Sequence, residues 1–100
     1  MKRYIFSQEA SDDLVAIFKY IAKRDSAAAK RLKAMLIRAC EELALNAELG
    51  HSRRDLTEDP DVKFYRVHNA YLVVFRKGSN PLEIIRIFHG AQDVGSLLQQ

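Results

Sequence analysis

Two rhythms of apolar residues divide the chain, and each predicts a different kind of element. Ala10, Leu14, Ile17, Phe18 and Ile21 recur at steps of three and four, which puts one apolar face on a helix while Asp13, Lys19 and Lys23 point away. Ser7 precedes this stripe as a helix N-cap, and Glu9, Asp12 and Asp13 follow where the positive end of a helix dipole favours acids. The helix is predicted to end near Lys23. Asp25 or Ser26 then caps a second helix with the stripe Ala29, Leu32, Leu36, Cys40 and Leu43, which stops at Asn46 or Gly50. So few residues separate the two stripes around Arg24 and Asp25 that the helices must form an antiparallel hairpin.

From Val62 onward the period changes to two. Val62 to Val67, Tyr71 to Arg76 and Leu82 to Phe88 are rich in β-branched and aromatic residues, with His68-Asn69-Ala70 and Lys77-Gly78-Ser79-Asn80-Pro81 as turns between them. Three antiparallel strands are predicted. Lys2 to Phe6 is a short β-rich run before the first helix, and Asp93 to Gln100 holds a turn or two of helix with Leu97 and Leu98 as its apolar contact. The order β-α-α-β-β-β predicts an α+β domain, a small curved and mainly antiparallel sheet with the N-terminal helical hairpin packed on one face. On this reading the other face is solvated or used for binding, and it presents Arg66 and Arg86 from different strands.

Length and composition narrow the class. One hundred residues, 48% hydrophobic and 29% charged, fit a single globular domain over residues 1–100 and do not fit an intrinsically disordered chain. The longest apolar run, Ala70 to Phe75, is far too short for a membrane span. Only Tyr4, Ile5 and Phe6 follow the basic Met1-Lys2-Arg3, so no signal segment is expected, and a cytoplasmic protein without a membrane partner is. The lone Cys40 is expected to pack as a small hydrophobe, and His51, His68 and His89 lack zinc-ligand spacing, so no metal or other cofactor is expected.

The net charge of +3 is unevenly spread. After residue 61, Lys63, Arg66, Arg76, Lys77 and Arg86 face only Glu83 and Asp93. Within the helices, Lys19, Lys23, Arg24, Lys30, Arg31, Lys33 and Arg38 share their stretch with Asp25 alone. Such a patch attracts phosphates or acidic protein segments, and each of its members also reads as part of a solvated helix face.

Several segments carry a likeness to a known family. They are Ala10-Ser11-Asp12-Asp13-Leu14 leading to Ile17-Phe18-Lys19-Tyr20-Ile21-Ala22, then Gly50-x-x-Arg53-Arg54-Asp55-Leu56, then Ile85-Arg86-Ile87-Phe88-His89-Gly90-Ala91-Gln92-Asp93. The last is similar to the ending R-V-L-H-G-A-R-D, and in this order the segments resemble the RelE/ParE superfamily of bacterial type II toxins, ParE branch. The resemblance implies a toxin neutralised by a ParD-like antitoxin in a hetero-oligomer. It further implies DNA gyrase as the target, with no sequence-specific DNA contact by the chain.

That superfamily contains two chemistries, and the fold does not choose between them. A ribosome-dependent mRNA endoribonuclease needs an acid, a base and positioned arginines, for which Arg66, Arg86 and His89 are the candidates. Two departures weigh against this alternative: Leu72 stands where the ribonuclease branch carries an arginine, and Gly90 follows His89 where that branch often has a tyrosine. Arg66 and Arg86 then read either as anchors for an acidic partner or as ion-pair partners of acids such as Asp93 and Glu83, and His89 as a hydrogen-bonded corner. Gln92 replaces the terminal arginine of the ParE pattern, and Ala47 stands where proline often follows Asn46. The leading expectation is a toxin that binds gyrase without catalysis. An inactive relative that keeps only antitoxin binding is a third reading. For the antitoxin, Val15 outside the core stripe together with Lys19, Lys23 and Arg31 forms the expected surface, suited to an acidic amphipathic segment.

Overall fold

The computed structural model describes residues 3–68, 70–90 and 92–98. Its elements run β1 (Tyr4–Phe6), α1 (Gln8–Ala22), α2 (Ser26–Leu45), a short 3-10 turn (Ala47–Leu49), β2 (Val62–Val67), β3 (Tyr71–Arg76), β4 (Leu82–His89) and α3 (Val94–Leu98). Lys2 of the expected first strand, Asn69 of the first turn, Ala91 of the terminal motif and the tail residues Gln99 and Gln100 lie outside the described residues.

The caps act as their side chains dictate. Ser7 Oγ accepts the Ala10 N–H at 3.0 Å and starts α1, and Asp25 Oδ1 accepts the Ala28 N–H at 3.0 Å, so Asp25 rather than Ser26 caps α2. Both expected stops of α2 operate. The Asn46 N–H closes the last turn on the Glu42 carbonyl, its Oδ1 accepts the Glu48 N–H to begin the 3-10 turn, and Gly50 ends that turn.

The sheet has the order β1-β4-β3-β2. β2, β3 and β4 are antiparallel neighbours, while β1 runs parallel to β4 over Tyr4↔Leu82 to Phe6↔Ile84. The helical hairpin is the crossover that makes this parallel pair possible, and it covers one face of the sheet. Near the middle of β4 the register slips: Val74 opposes Arg86 whereas Phe75 opposes Ile84, leaving Ile85 as the extra residue of a bulge. Because of that bulge, Ile84 and Ile87 both reach the helix-covered core, although three positions separate them.

That core joins Ala10 and Ile17 of α1, Leu32, Leu36, Cys40 and Leu43 of α2, and Val73, Phe75, Ile84 and Ile87 of the sheet. Fully burying each large side chain contributes about 1.5–3 kcal/mol. Cys40 packs there as a small hydrophobe, and burial pushes its thiol up to about 12, with Glu41 adding to the effect. Gly50 is required for steric reasons, since a Cβ there would lie 2.3 Å from Cζ of Phe75.

The opposite sheet face departs from the open surface expected of it. Val62, Phe64, Val74 and Phe88 form a second core there, packed by Leu56, Leu72, Val94 and Leu97. The helix α3 and the loop before β2 supply this cover, because four large apolar side chains on one face could not stay in water without cost. At the outer edge of β2, His51 exchanges backbone hydrogen bonds with Phe64 at 2.7 and 2.8 Å, which partly closes the edge.

Candidate functional site

β1 is short and pairs only with Leu82–Ile84, so β4 continues beyond it with a free edge. Side chains take over the pairing. Ser7 Oγ donates to the Ile85 carbonyl at 2.6 Å, Asp13 Oδ2 accepts the Ile87 N–H at 2.9 Å, and Gln92 Oε1 accepts the His89 N–H at 2.8 Å. The first turns of α1 are thereby stitched to β4, and the strand's end is tied to the segment that leads into α3.

Asp13 also takes Arg86. The guanidinium donates through Nε to Oδ2 at 2.8 Å and through a terminal nitrogen to Oδ1 at 3.0 Å, a bidentate pair with both side chains largely withdrawn from water. The guanidinium carbon lies 4.7 Å from the centroid of the Phe88 ring. The hydrogen bonds it donates to Asp13 hold the Arg86 guanidinium above its ordinary value, against some opposition from burial. Two expectations are corrected here: Asp13 does not point away from the fold, and the partner of Arg86 is neither Glu83 nor Asp93. The cause is tertiary, since only the end of β1 and the bulge at Ile85 bring the edge of β4 within reach of α1.

Two concavities flank the start of β3 and the end of β4. A groove of about 590 Å³ runs between α1 and the strand ends, with Ala16, Ile17 and Tyr20 on one wall and Tyr71, Ile87 and His89 on the other. On the far side a pocket of about 410 Å³ gathers Arg53, Arg66, His89 and Asp93 around Leu72 and Gly90. His89 lines both. In the second pocket Arg53 is already matched by Asp55 through contacts of 2.9 and 2.7 Å, whereas Arg66 is exposed and forms no ion pair among the described residues. The structure thus brings Arg66 and His89 of the candidate catalytic set to one pocket and leaves Arg86 outside it. Leu72, in the position where an arginine would serve a ribonuclease, is partly buried against the second core.

The candidate antitoxin surface lies on the hairpin. Val15 is 51% exposed, and Lys19 and Lys23 continue its line along α1 at four-residue steps. Arg31 stands exposed on α2. Tyr20 is absent from the sequence-derived site, yet it is 62% exposed, lines the groove, and has the Arg24 guanidinium 5.5 Å from its ring centroid. A large aromatic just outside the core stripe of α1 was the available signal. Among the described residues no group of three or more His, Cys, Asp and Glu side chains gathers as a metal site, and no helix is long and apolar enough to cross a membrane.

Known proteins resemble this arrangement in sequence and in fold. No curated protein matches the chain at a significant level. A chromosomal ParDE toxin-antitoxin system from P. aeruginosa has a chain of the same fold, with a TM-score of 0.71 at 21% identity, covering 89% of this chain and 96% of its own. The family model described as the ParE toxin of the type II toxin-antitoxin system parDE matches residues 4–94, a span that holds the helical hairpin, the whole sheet and the Asp13–Arg86 clamp. The chain therefore belongs to the ParE toxin family of type II toxin-antitoxin systems.

Proposed function

We propose that this ParE-family chain acts in the cytoplasm by binding DNA gyrase and blocking its cycle, and that a ParD-like antitoxin neutralises it in a hetero-oligomer. The observation that carries this reading is the commitment of Arg86 to Asp13. A ribonuclease must stabilise a charged phosphorane with positioned donors, and losing one such donor costs roughly 10²- to 10³-fold in rate. Here Arg86 is neutralised, Leu72 offers no charge and Gly90 offers no side chain, so Arg66 and His89 stand without the rest of the set. Blocking an enzyme by contact needs no such chemistry, only buried anchors and complementary charge.

The antitoxin fits the exposed stripe of Val15, Lys19 and Lys23 together with the exposed Arg31 of α2. An acidic segment that folds on binding would set apolar side chains against Val15 and carboxylates against the three cations.

A paired assay tests the target. Purified toxin freed of antitoxin should inhibit negative supercoiling by gyrase and cause cleaved DNA to accumulate, while programmed ribosomes show no new A-site cuts, and antitoxin added first should protect gyrase. Codon-linked mRNA cleavage with normal supercoiling overturns the reading. Silence in both assays points to a chain that keeps only antitoxin binding.

A further inference from the structure

Every ion pair among the described residues uses a cation outside the hairpin: Arg53, Arg76, Lys77 and Arg86 have acidic partners at 2.6–3.5 Å, while Arg3, Arg54, Lys63 and Arg66 form none. On the hairpin, Lys23, Arg24, Lys30, Arg31 and Arg38 are all exposed and form no ion pair among the described residues. The antiparallel fold brings the basic end of α1 against the basic start of α2, and Asp25, the acid between them, spends a carboxylate oxygen on capping the Ala28 N–H.

Helix α2 also carries its charges in the order that its own dipole disfavours. Its first turn has no acid and its last turn no base, Lys30 and Arg31 follow in the second turn, and Glu41 and Glu42 lie near the C-terminal end. Folding gains nothing from that order, while the positive potential at the hairpin's closed end is raised by it. The outward face of α2 reads Ala27, Lys30, Arg31, Ala34 and Arg38, cations set among alanines, all exposed. From Ala27 to Arg38 it offers no large apolar anchor such as an amphipathic protein helix would require, and the exposed Leu45 lies a further two turns on, beyond Glu41 and Glu42. Lys30 and Arg38 stand about 12 Å apart along the axis, comparable with the roughly 12 Å width of a major groove.

We propose that the outer face of α2, through Lys30, Arg31 and Arg38 and extended by Lys23 and Arg24, binds the phosphate backbone of duplex DNA without regard to sequence. The contact is electrostatic, made by long side chains that reach phosphates while the helix itself stays outside the grooves. It does not depend on the gyrase reading and holds on naked DNA. An antitoxin that occupies Arg31 would compete with it.

The test measures binding of the purified chain to a fluorescent duplex of arbitrary sequence by anisotropy. A Kd of roughly 10⁻⁴ to 10⁻⁶ M is expected near physiological salt, with a slope of log K against log salt of roughly −3, or about 60-fold weaker binding at 200 mM than at 50 mM. K30E/R31E/R38E should weaken binding by more than tenfold. Its Tm should be nearly unchanged, because acids at positions 30 and 31 suit the helix dipole while one at position 38, a turn before Glu41 and Glu42, offsets that gain, and this separates loss of binding from loss of fold. R66E, on the opposite side of the sheet from the hairpin, should bind as the parent does. Absence of binding at about 50 mM salt, binding insensitive to salt, or equal loss in R66E overturns the proposal. Tighter binding to an acidic peptide of matched charge than to the duplex also overturns it, assigning the face to a protein partner instead.

Discussion

Asp13 holds Arg86 at two points, with Oδ2 2.8 Å from Nε and Oδ1 3.0 Å from a terminal nitrogen, and the same Oδ2 also accepts the Ile87 N–H at 2.9 Å. One carboxylate thus neutralises a half-buried cation and satisfies the backbone edge that β1 leaves open. An acid on the first helix performs work that a longer β1 would otherwise do.

Removing that carboxylate should cost more than removing either contact alone. Asp13→Ala leaves an unpaired guanidinium and an unpaired edge N–H, and should lower stability by about 2–4 kcal/mol in urea unfolding. Asp13→Asn, which keeps one acceptor for Ile87, should lose less. A double-mutant cycle with Arg86→Ala should return a coupling of about 1–3 kcal/mol, and a coupling near zero would show that the pair is not held in solution.

His89 separates architecture from chemistry. Its backbone N–H is held by Gln92, and its side chain lies between the two concavities. His89→Gln should retain full toxicity on induction in cells, because an amide keeps a hydrogen bond but cannot shuttle a proton near neutral pH. Loss of toxicity in a stable variant that still binds antitoxin would restore the ribonuclease reading.

Gly50 can be tested by adding one carbon. With Cζ and Cε1 of Phe75 at 2.3 and 2.6 Å from the position of a Cβ, Gly50→Ala must displace a ring that is fully buried. The expected loss is about 1–3 kcal/mol, or a Tm lower by about 4 °C or more. Phe75→Leu alone should destabilise, but combined with Gly50→Ala it should cost less than the sum of the two. Strict additivity would mean that the ring and the glycine do not meet.

Acid should weaken the fold only below the ordinary carboxylate range. Glu48 is held low by the Lys77 hydrogen bond and charge, Asp55 by the Arg53 hydrogen bond, and Asp59 first by the Asp61 N–H and then by Arg76. Because the folded values lie below the unfolded ones, this stability is fully present above the unfolded values and is lost as pH falls through the folded ones. Tm should therefore be flat from pH 7 to about 5 and decline below about pH 4. All three groups are exposed, so about 0.5 M salt should flatten the decline. A Tm that rises between pH 5 and 3 would contradict the assignment.

The elements were legible because each rests on local chemistry. The stripe from Ala10 to Ile21, the cap at Asp25, and the change of period at Val62 follow from side-chain spacing and short-range hydrogen bonding, which a linear pattern records directly. The antiparallel hairpin was legible too, since the chain between Ala22 and Ser26 is too short for any other path. The candidate site was less so. Arg66 and His89 line one pocket, which residue type alone did not indicate, Tyr20 entered the groove wall unannounced, and Arg86 pairs with Asp13 outside that pocket.

The sequence by itself determined the order of elements, the helix-covered core, the excess of cations on the hairpin and the likeness to the ParE family, all of which depend on residue type and near-neighbour spacing. Tertiary structure alone decided three things. The bulge at Ile85 sets which residues of β4 face each way, and a two-residue period cannot foresee an inserted residue. The cover over the second sheet face depends on where α3 returns in space. The pairing of Asp13 with Arg86 joins residues 73 positions apart, and it exists because a three-residue β1 stops short of the end of β4. Contacts of that range are fixed by chain path and register, which no local pattern encodes.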